Sequence, residues 1–167
     1  MQPPLLPAEA LLRVLRRARM DGMGVLMLAT FFALSSAALG DFPGAVVWLL
    51  VAGAGAIELH GAVLLQGIET RGLNWLVASQ LLFLVVVLAY CAVRLTHYDP
   101  VVMREALTED MKASLREANY PEEDFLRTVY LSTYAAMAGA VLVYKTVLAL
   151  YFHRRRAAVT AALEAEG

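Results

Sequence analysis

The chain alternates long apolar stretches with shorter polar ones. Apolar residues dominate segments 22–39, 42–65, 75–95 and 129–152, each close to the ~20 residues that a hydrocarbon layer of ~30 Å requires of a helix. Within lipid, a segment must satisfy its own backbone hydrogen bonds, so each of these segments predicts a transmembrane helix. The pattern therefore predicts an all-α, polytopic membrane protein with four spans in a single domain, 1–167.

Three polar segments flank or connect these spans. Residues 1–20 combine leucines with four arginines, which predicts a basic helix lying at the membrane interface. A cleaved signal peptide is the alternative for the first apolar run, but its basic region is long for that role, and we favour a retained helix. Residues 96–126 predict an extracytoplasmic helical segment. Residues 153–167 predict a cytoplasmic tail that prolongs the fourth helix or associates as a coiled segment.

Composition agrees with a surface that faces lipid. Hydrophobic residues make up 60% of the 167 residues and charged residues 17%, with a mean hydropathy of +0.61, which exceeds what the core of a soluble domain needs. The net charge is -1 and no basic stripe interleaved with aromatic residues occurs, so nucleic acid is not an expected partner. The single Cys91 excludes an intrachain disulfide and a multi-thiolate metal site.

Basic residues near the helix ends predict the orientation of the chain, because Lys and Arg favour the cytoplasmic side. Four spans place both termini on the same side. The terminal side carries Arg13, Arg16, Arg17, Arg19, Arg71, Arg154, Arg155 and Arg156, and the opposite side carries Arg94, Arg104, Lys112, Arg116 and Arg127. We therefore expect both termini in the cytoplasm, in a plasma membrane or a bacterial inner membrane.

Segment 99–124 is acidic, and its pattern is helical. Asp99 and Pro100 suit the start of a helix, and apolar residues then recur every four positions, which predicts one amphipathic helix of about five turns. These apolar residues are Met103, Leu107, Met111 and Leu115. Pro121 opens a further helix that continues into the fourth span. The acidic surface is either a solvated connector or a vestibule that concentrates cations or docks a basic protein partner.

Glu58 lies near the middle of the second apolar segment, where a carboxylate is costly unless it is protonated, paired or facing water. Small residues share its helix face at spacings of three and four, which predicts either tight helix packing or a narrow aqueous passage. The glycines that we expect to serve helix packing are Gly53, Gly55 and Gly61 beside Glu58 and Gly139 in the fourth span.

A candidate ion or proton pathway consists of Glu58, His60, Gln66, Glu69 and Lys145. His60 lies about 200° round the helix from Glu58 and therefore does not share its face. Lys145 is the basic residue deepest within an apolar segment, at a depth comparable to that of Glu58. These depths predict a buried Glu58–Lys145 ion pair. The alternative is that the Lys145 side chain extends to the cytoplasmic interface.

The fourth span carries a heptad seam that predicts left-handed packing against another helix. Its members are Tyr130, Tyr134, Met137, Val141, Tyr144, Leu148 and Tyr151. We expect Tyr134 and Tyr144 to take part in this packing, with the Tyr144 hydroxyl bonded to Glu58, His60 or Gln80. A buried Gln80 in the third span is expected to bond across helices.

Known catalytic and cofactor patterns are missing from the sequence. His60, His97 and His153 are far apart, and there is no paired-histidine motif, nucleophile elbow or phosphate loop. We expect no catalytic residues, no cofactor and no metal, hence not an enzyme. The sequence favours a homo-oligomeric channel for cations with Glu58 as an internal ring, since a single four-helix bundle has a filled core and a pore requires self-association. A non-catalytic accessory or scaffold subunit and a proton-coupled small-molecule transporter are the alternatives.

Overall fold

The computed structural model describes residues 7–105 and 107–166, and helices account for most of this part of the chain. Their bounds are α1 Pro7–Ala38, α2 Phe42–Gln66, α3 Gly72–Thr96, α4 Val101–Glu105, α5 Glu109–Glu117 and α6 Glu122–Glu166. Among the described residues there is no strand. Four helices, α1, α2, α3 and α6, are long and apolar enough to cross a membrane. This confirms the all-helical class and the number of long apolar helices predicted from the pattern.

Local sequence signals account for the ends of the long helices. Gly40, with a φ of +77°, follows the end of α1, a conformation that glycine adopts without steric cost. Asp41 then caps α2, because its Oδ1 accepts a hydrogen bond of 3.1 Å from the backbone N–H of Gly44. In the turn between α2 and α3 the guanidinium of Arg71 donates to the carboxylate of Glu69 at 3.2 Å.

The helices form two compact units. The first contains the described residues up to Val87 and those from Val143 onward, and the second is Leu88–Leu142. One buried apolar cluster joins all four helices of the first unit. Its members include Leu11, Val14 and Ala18 of α1, Leu65 of α2, Leu76 of α3, and Leu148, Phe152 and Leu163 of α6. Burial of these side chains holds the four helices together in that unit.

Residues 7–20 differ from the separate interfacial helix expected for them. They are the first part of α1, which continues without a break, and Leu11 and Val14 are buried in the same cluster as the C-terminal residues of α6. Gly22 does not interrupt α1 because it lies at a helix contact, where an added Cβ would be 3.2 Å from the carbonyl oxygen of Gly55. Leu11 therefore packs against other helices, whereas Leu12, which is 66% exposed, remains available for the predicted contact with lipid.

Two of the glycines expected at packing contacts lie at close helix approaches. A Cβ on Gly55 would be 2.9 Å from a backbone oxygen of α1, and a Cβ on Gly61 would be 2.9 Å from a backbone oxygen of α3. At Gly53 and Gly139 an added Cβ would meet no atom of another helix in the described chain within 4 Å. The small side chains at the first two positions therefore allow α2 to lie close to α1 and to α3.

The second unit contains two short helices where one long amphipathic helix was expected. Thr108 interrupts the helical run, because its Oγ1 accepts a hydrogen bond of 3.3 Å from the backbone N–H of Met111 and caps α5. A threonine side chain used in this way offers the backbone an alternative to a continuing helix. Asn119, with a φ of +51°, follows the end of α5. After it, α6 begins at Glu122 and continues through the fourth apolar segment, as expected.

Tyrosines connect α3 and α6 within the second unit. The hydroxyl of Tyr130 donates to the backbone oxygens of Arg94 at 3.1 Å and His97 at 3.3 Å, so it satisfies carbonyl groups at the C-terminal end of α3. The ring of Tyr134 has its centroid 4.8 Å from that of Tyr130 and 6.0 Å from that of Tyr90. Tyr134 thus lies in an aromatic cluster between helices.

Candidate functional site

A buried ion pair joins α1 to α6 in the first unit. The ammonium Nζ of Lys145 donates to Oδ2 of Asp21 at 2.6 Å, and the hydroxyl of Tyr144 donates to Oδ1 of the same carboxylate at 2.7 Å. Two successive residues of α6 therefore hold both oxygens of one carboxylate. Charge-assisted bonds of this length are among the stronger hydrogen bonds in proteins.

Lys145 is enclosed by protein. Its side chain is 3% exposed and that of Asp21 is 10% exposed. The ammonium lies 4.3 Å from the ring centroid of Phe83 in α3, within the range of a cation–π interaction. An isolated ammonium would be very costly in such surroundings, so the carboxylate and the ring are needed to compensate its charge.

A second carboxyl group, that of Glu58, belongs to the same site. Glu58 is 2% exposed and interacts electrostatically with both Asp21 and Lys145. Gln80 of α3, 1% exposed, lies beside it and donates from Nε2 to the hydroxyl of Ser79 at 3.2 Å. Neither Oε1 of Glu58 nor Oε1 of Gln80 has a hydrogen-bond partner within the described part of the chain. Buried acceptors without partners mark a place where a proton, a water molecule or a ligand can be held.

The close approach of α1 and α2 explains why two carboxyl groups meet. The backbones of α1 and α2 approach each other at Gly22 and Gly55. Asp21 immediately precedes the first of these glycines, and Glu58 lies one helical turn after the second. With no Cβ at either contact, the backbones come near enough for the adjacent longer side chains to share one space. The small-residue stripe of α2 therefore serves this site by bringing α1 to Glu58.

A cavity of about 510 Å³ opens beside Asp21, and we call it the aromatic cavity. Its polar side chains are Asp21 and Tyr144, and its aromatic walls are Phe32, Trp48 and Phe83. The rings of Phe32 and Trp48 are stacked with centroids 4.9 Å apart. Apolar residues and glycine form the remainder of the lining. The volume is within the range of cavities that hold small organic molecules.

Other residues of the predicted pathway lie apart from this site. His60 is exposed on the outer face of α2, where its ring forms a T-shaped pair with that of Trp75, the two centroids lying 5.6 Å apart. Gln66 is exposed at the last turn of α2, and Glu69 pairs with Arg71 in the following turn. Of the five pathway residues, only Glu58 and Lys145 are brought together.

Asp21 is the residue that sequence reasoning missed. The expected partner of Lys145 was Glu58, or else the cytoplasmic interface, and the expected partner of Tyr144 was Glu58, His60 or Gln80. Both α6 side chains bind Asp21 instead. Asp21 directly precedes the first apolar segment and follows a run of arginines, which suggests a residue in the headgroup region. The available signal was the leucines before those arginines, since they extend the helix well beyond Asp21.

No three His, Cys, Asp or Glu side chains in the described ranges are grouped so as to hold a metal ion. The chain matches no protein family, no curated protein and no solved structure.

Proposed function

We propose that this chain is a membrane carrier that binds an organic cation beside Asp21 and exchanges it for a proton. The observation that carries this proposal is the charge count of the buried site. Asp21 and Glu58 supply two carboxyl groups, and Lys145 supplies one ammonium group. Four helices that are long and apolar enough to cross a bilayer support the membrane setting.

The charge count leaves one negative charge without compensation when both carboxyl groups are ionised, since two negative charges face one positive charge. In a low-dielectric interior this charge is strongly disfavoured. Either one proton shared by the carboxyl pair or one bound monovalent cation restores neutrality. The two occupants therefore compete for the same site, which is the requirement for exchange of one cation for one proton.

The walls of the aromatic cavity favour an organic cation over a hydrated metal ion. The rings of Phe32, Trp48 and Phe83 line the cavity, and the carboxylate of Asp21 supplies the counter-charge. Aromatic faces attract large, weakly hydrated cations such as quaternary ammonium groups. A small metal ion would instead need several oxygen ligands.

In this proposal both termini lie in the cytoplasm, because the predicted terminal side carries the larger number of Lys and Arg residues near the helix ends.

The titratable groups acting on the carboxyl pair come from two helices. Lys145 and Tyr144 of α6 contact Asp21, and Arg17 of α1 acts electrostatically on Tyr144. Protonation at the pair, rather than at a distant group, is then the step that releases the cation.

The test measures binding of a lipophilic cation, tetraphenylphosphonium, to the purified chain. The fluorescence of Trp48 reports the binding. A Trp75→Phe background leaves Trp48 as the reporting tryptophan, since the sequence contains two. We expect saturable quenching with release of one proton per bound cation, measured by a pH indicator in weak buffer. Asp21→Asn and Glu58→Gln should each weaken binding about tenfold or more and abolish proton release, because either change removes the excess negative charge.

Glu69→Gln is the matched control, since it removes a carboxylate that lies in the α2–α3 turn. It should bind the cation as the unchanged protein does. Binding without proton release, or equal binding by Glu58→Gln and Glu69→Gln, would contradict exchange at the carboxyl pair. Counterflow of the labelled cation in proteoliposomes then distinguishes a carrier from a protein that only binds it.

A homo-oligomeric cation channel is the second candidate, and the outer face of α2 favours it. His60 is exposed there, and Gly53 has open space for close approach by another copy. Glu58 is buried within its own chain, so a pore between copies would have to be lined by this other face. Native mass spectrometry in lipid nanodiscs separates the two: a closed ring of four or more chains favours the channel, and a monomer or dimer favours the carrier.

A further inference from the structure

A second cavity, of about 480 Å³, lies between the N-terminal part of α1 and the C-terminal half of α6. We call it the arginine cavity. Its lining residues are Arg13, Arg16, Arg17, Met20, Tyr151 and Arg155. Those from α1 follow one another at spacings of three, one and three, which places them on one helix face. Four guanidinium groups from two helices thus surround one space, apart from the carboxyl pair of the proposed carrier site.

Tyr151 orients two of these arginines. The guanidinium carbon of Arg17 lies 4.6 Å from the centroid of its ring, and that of Arg155 lies 5.9 Å from it. Cation–π contacts of this kind restrict the positions of the side chains before any ligand arrives. An arginine site whose side chains are already oriented loses less conformational entropy on binding.

The positive charge of the arginine cavity is poorly compensated by the protein. Within the described residues the one ion pair of these arginines joins Arg13 to Glu9 at 4.0 Å, with side chains 61% and 53% exposed. An exposed pair at that distance is weak and screened by solvent. Mutual repulsion of the four guanidinium groups therefore opposes their grouping unless an anion lies among them.

We propose that the arginine cavity binds the phosphoryl headgroup of an anionic phospholipid. Guanidinium groups match the oxygen geometry of phosphate in a bidentate manner, and basic pockets between membrane helices are suited to such headgroups. A groove of about 280 Å³ shares Arg17, Met20 and Tyr151 with the cavity and continues along Val147 and Leu148. Its surface is mostly apolar, although Asp21 and Tyr144 also line it. This groove suits an acyl chain, which a free phosphate ion lacks.

The test uses the full chain purified in detergent and compares retention of phosphatidylglycerol with that of phosphatidylcholine by native mass spectrometry. We expect phosphatidylglycerol to be retained preferentially, and Arg17→Gln combined with Arg155→Gln to weaken its binding about thirtyfold. The matched control is Arg19→Gln combined with Arg156→Gln, which removes the same charge from exposed positions outside the cavity. It should retain the lipid as the unchanged protein does.

Equal loss of lipid in both double variants would overturn the proposal, because general surface charge would then explain the binding. Competition by millimolar inorganic phosphate that matches competition by phosphatidylglycerol would overturn the assignment to lipid. If the glutamine double variant fails to fold, Arg17→Lys with Arg155→Lys keeps both charges and removes the planar fork. That variant should weaken retention several-fold, and unchanged retention would count against the site.

Discussion

Replacement of Lys145 by methionine should destabilise the protein strongly. The change leaves the carboxyl groups of Asp21 and Glu58 facing each other without the ammonium that now lies 2.6 Å from Oδ2 of Asp21. Both members of the ion pair are almost fully enclosed, with side chains 3% and 10% exposed. Breaking a buried pair by removing one partner costs about 3–5 kcal/mol of unfolding free energy, and we expect Lys145→Met to fall in that range.

Asp21→Asn, which changes the other member of the ion pair, should lower the free energy of unfolding by less than Lys145→Met does. The carboxyl group of Glu58 still interacts with Lys145 and can compensate its charge, so we expect about 1–3 kcal/mol, comparable to the loss of a hydrogen bond to a charged group. Combining Asp21→Asn with Lys145→Met removes both charges of the pair. The cost of the double variant should therefore be at least ~2 kcal/mol smaller than the sum of the single costs.

The assay is the free energy of unfolding in mild detergent, titrated with sodium dodecyl sulfate and followed by far-UV circular dichroism at neutral pH. Arg104→Met is the control, because its guanidinium lies 2.7 Å from Oε2 of Glu123 in a pair whose side chains are 54% and 56% exposed. We expect no measurable change in that variant. Additive costs in the double variant would refute the buried pair, and a larger loss for Asp21→Asn than for Lys145→Met would refute compensation by Glu58.

Three further predictions concern packing, hydrogen bonding and pH. Gly55→Ala should lower the free energy of unfolding by about 1–3 kcal/mol, because its Cβ would lie 2.9 Å from backbone atoms of α1. Gly53→Ala, with open space at its Cβ, should leave the free energy of unfolding unchanged. Thermal unfolding in detergent compares the two variants. Tyr144→Phe should cost about 1 kcal/mol in the same assay, since it removes one donor to a buried carboxylate. The hydrogen bond and charge of Lys112 hold the pKa of Glu109 below its ordinary value. The stabilisation of α5 by this pair is therefore complete when the pH is above that ordinary value, and it is lost as the pH falls through the lowered pKa. Amide exchange in α5, corrected for intrinsic rates, should become faster after acidification.

Much of the helical architecture could be predicted from the sequence, because the signals are local. Each of the four apolar segments has about the length of a membrane span, and Pro121 marks a helix start where α6 begins. The division between α4 and α5 was not foreseen, since the capping of α5 by Thr108 competes with a regular four-residue apolar repeat. Periodicity alone therefore predicted helix there but not the break in it.

The candidate site was predicted only in part. Glu58 and Lys145 stood out because each is an ionisable residue within an apolar segment, and that signal is present in the sequence. Asp21 did not stand out, because a carboxylate beside several arginines at the start of an apolar run is typical of an exposed position. Its burial depends on the continuation of α1 towards the N-terminus and on the cluster that Leu11 and Val14 form with α6.

The sequence by itself thus determined the helical class, the four long apolar helices and the presence of costly charges within them, because hydrophobicity and helix propensity act between near neighbours along the chain. Only the tertiary structure decided which charges meet. Asp21 and Lys145 are 124 residues apart, and their contact depends on the depth and rotation of α1 and α6. Those are determined by side-chain packing between helices, including the close approach of Gly22 to Gly55. The spacing of small residues in α2 predicts a packing face there but does not show which helix it contacts.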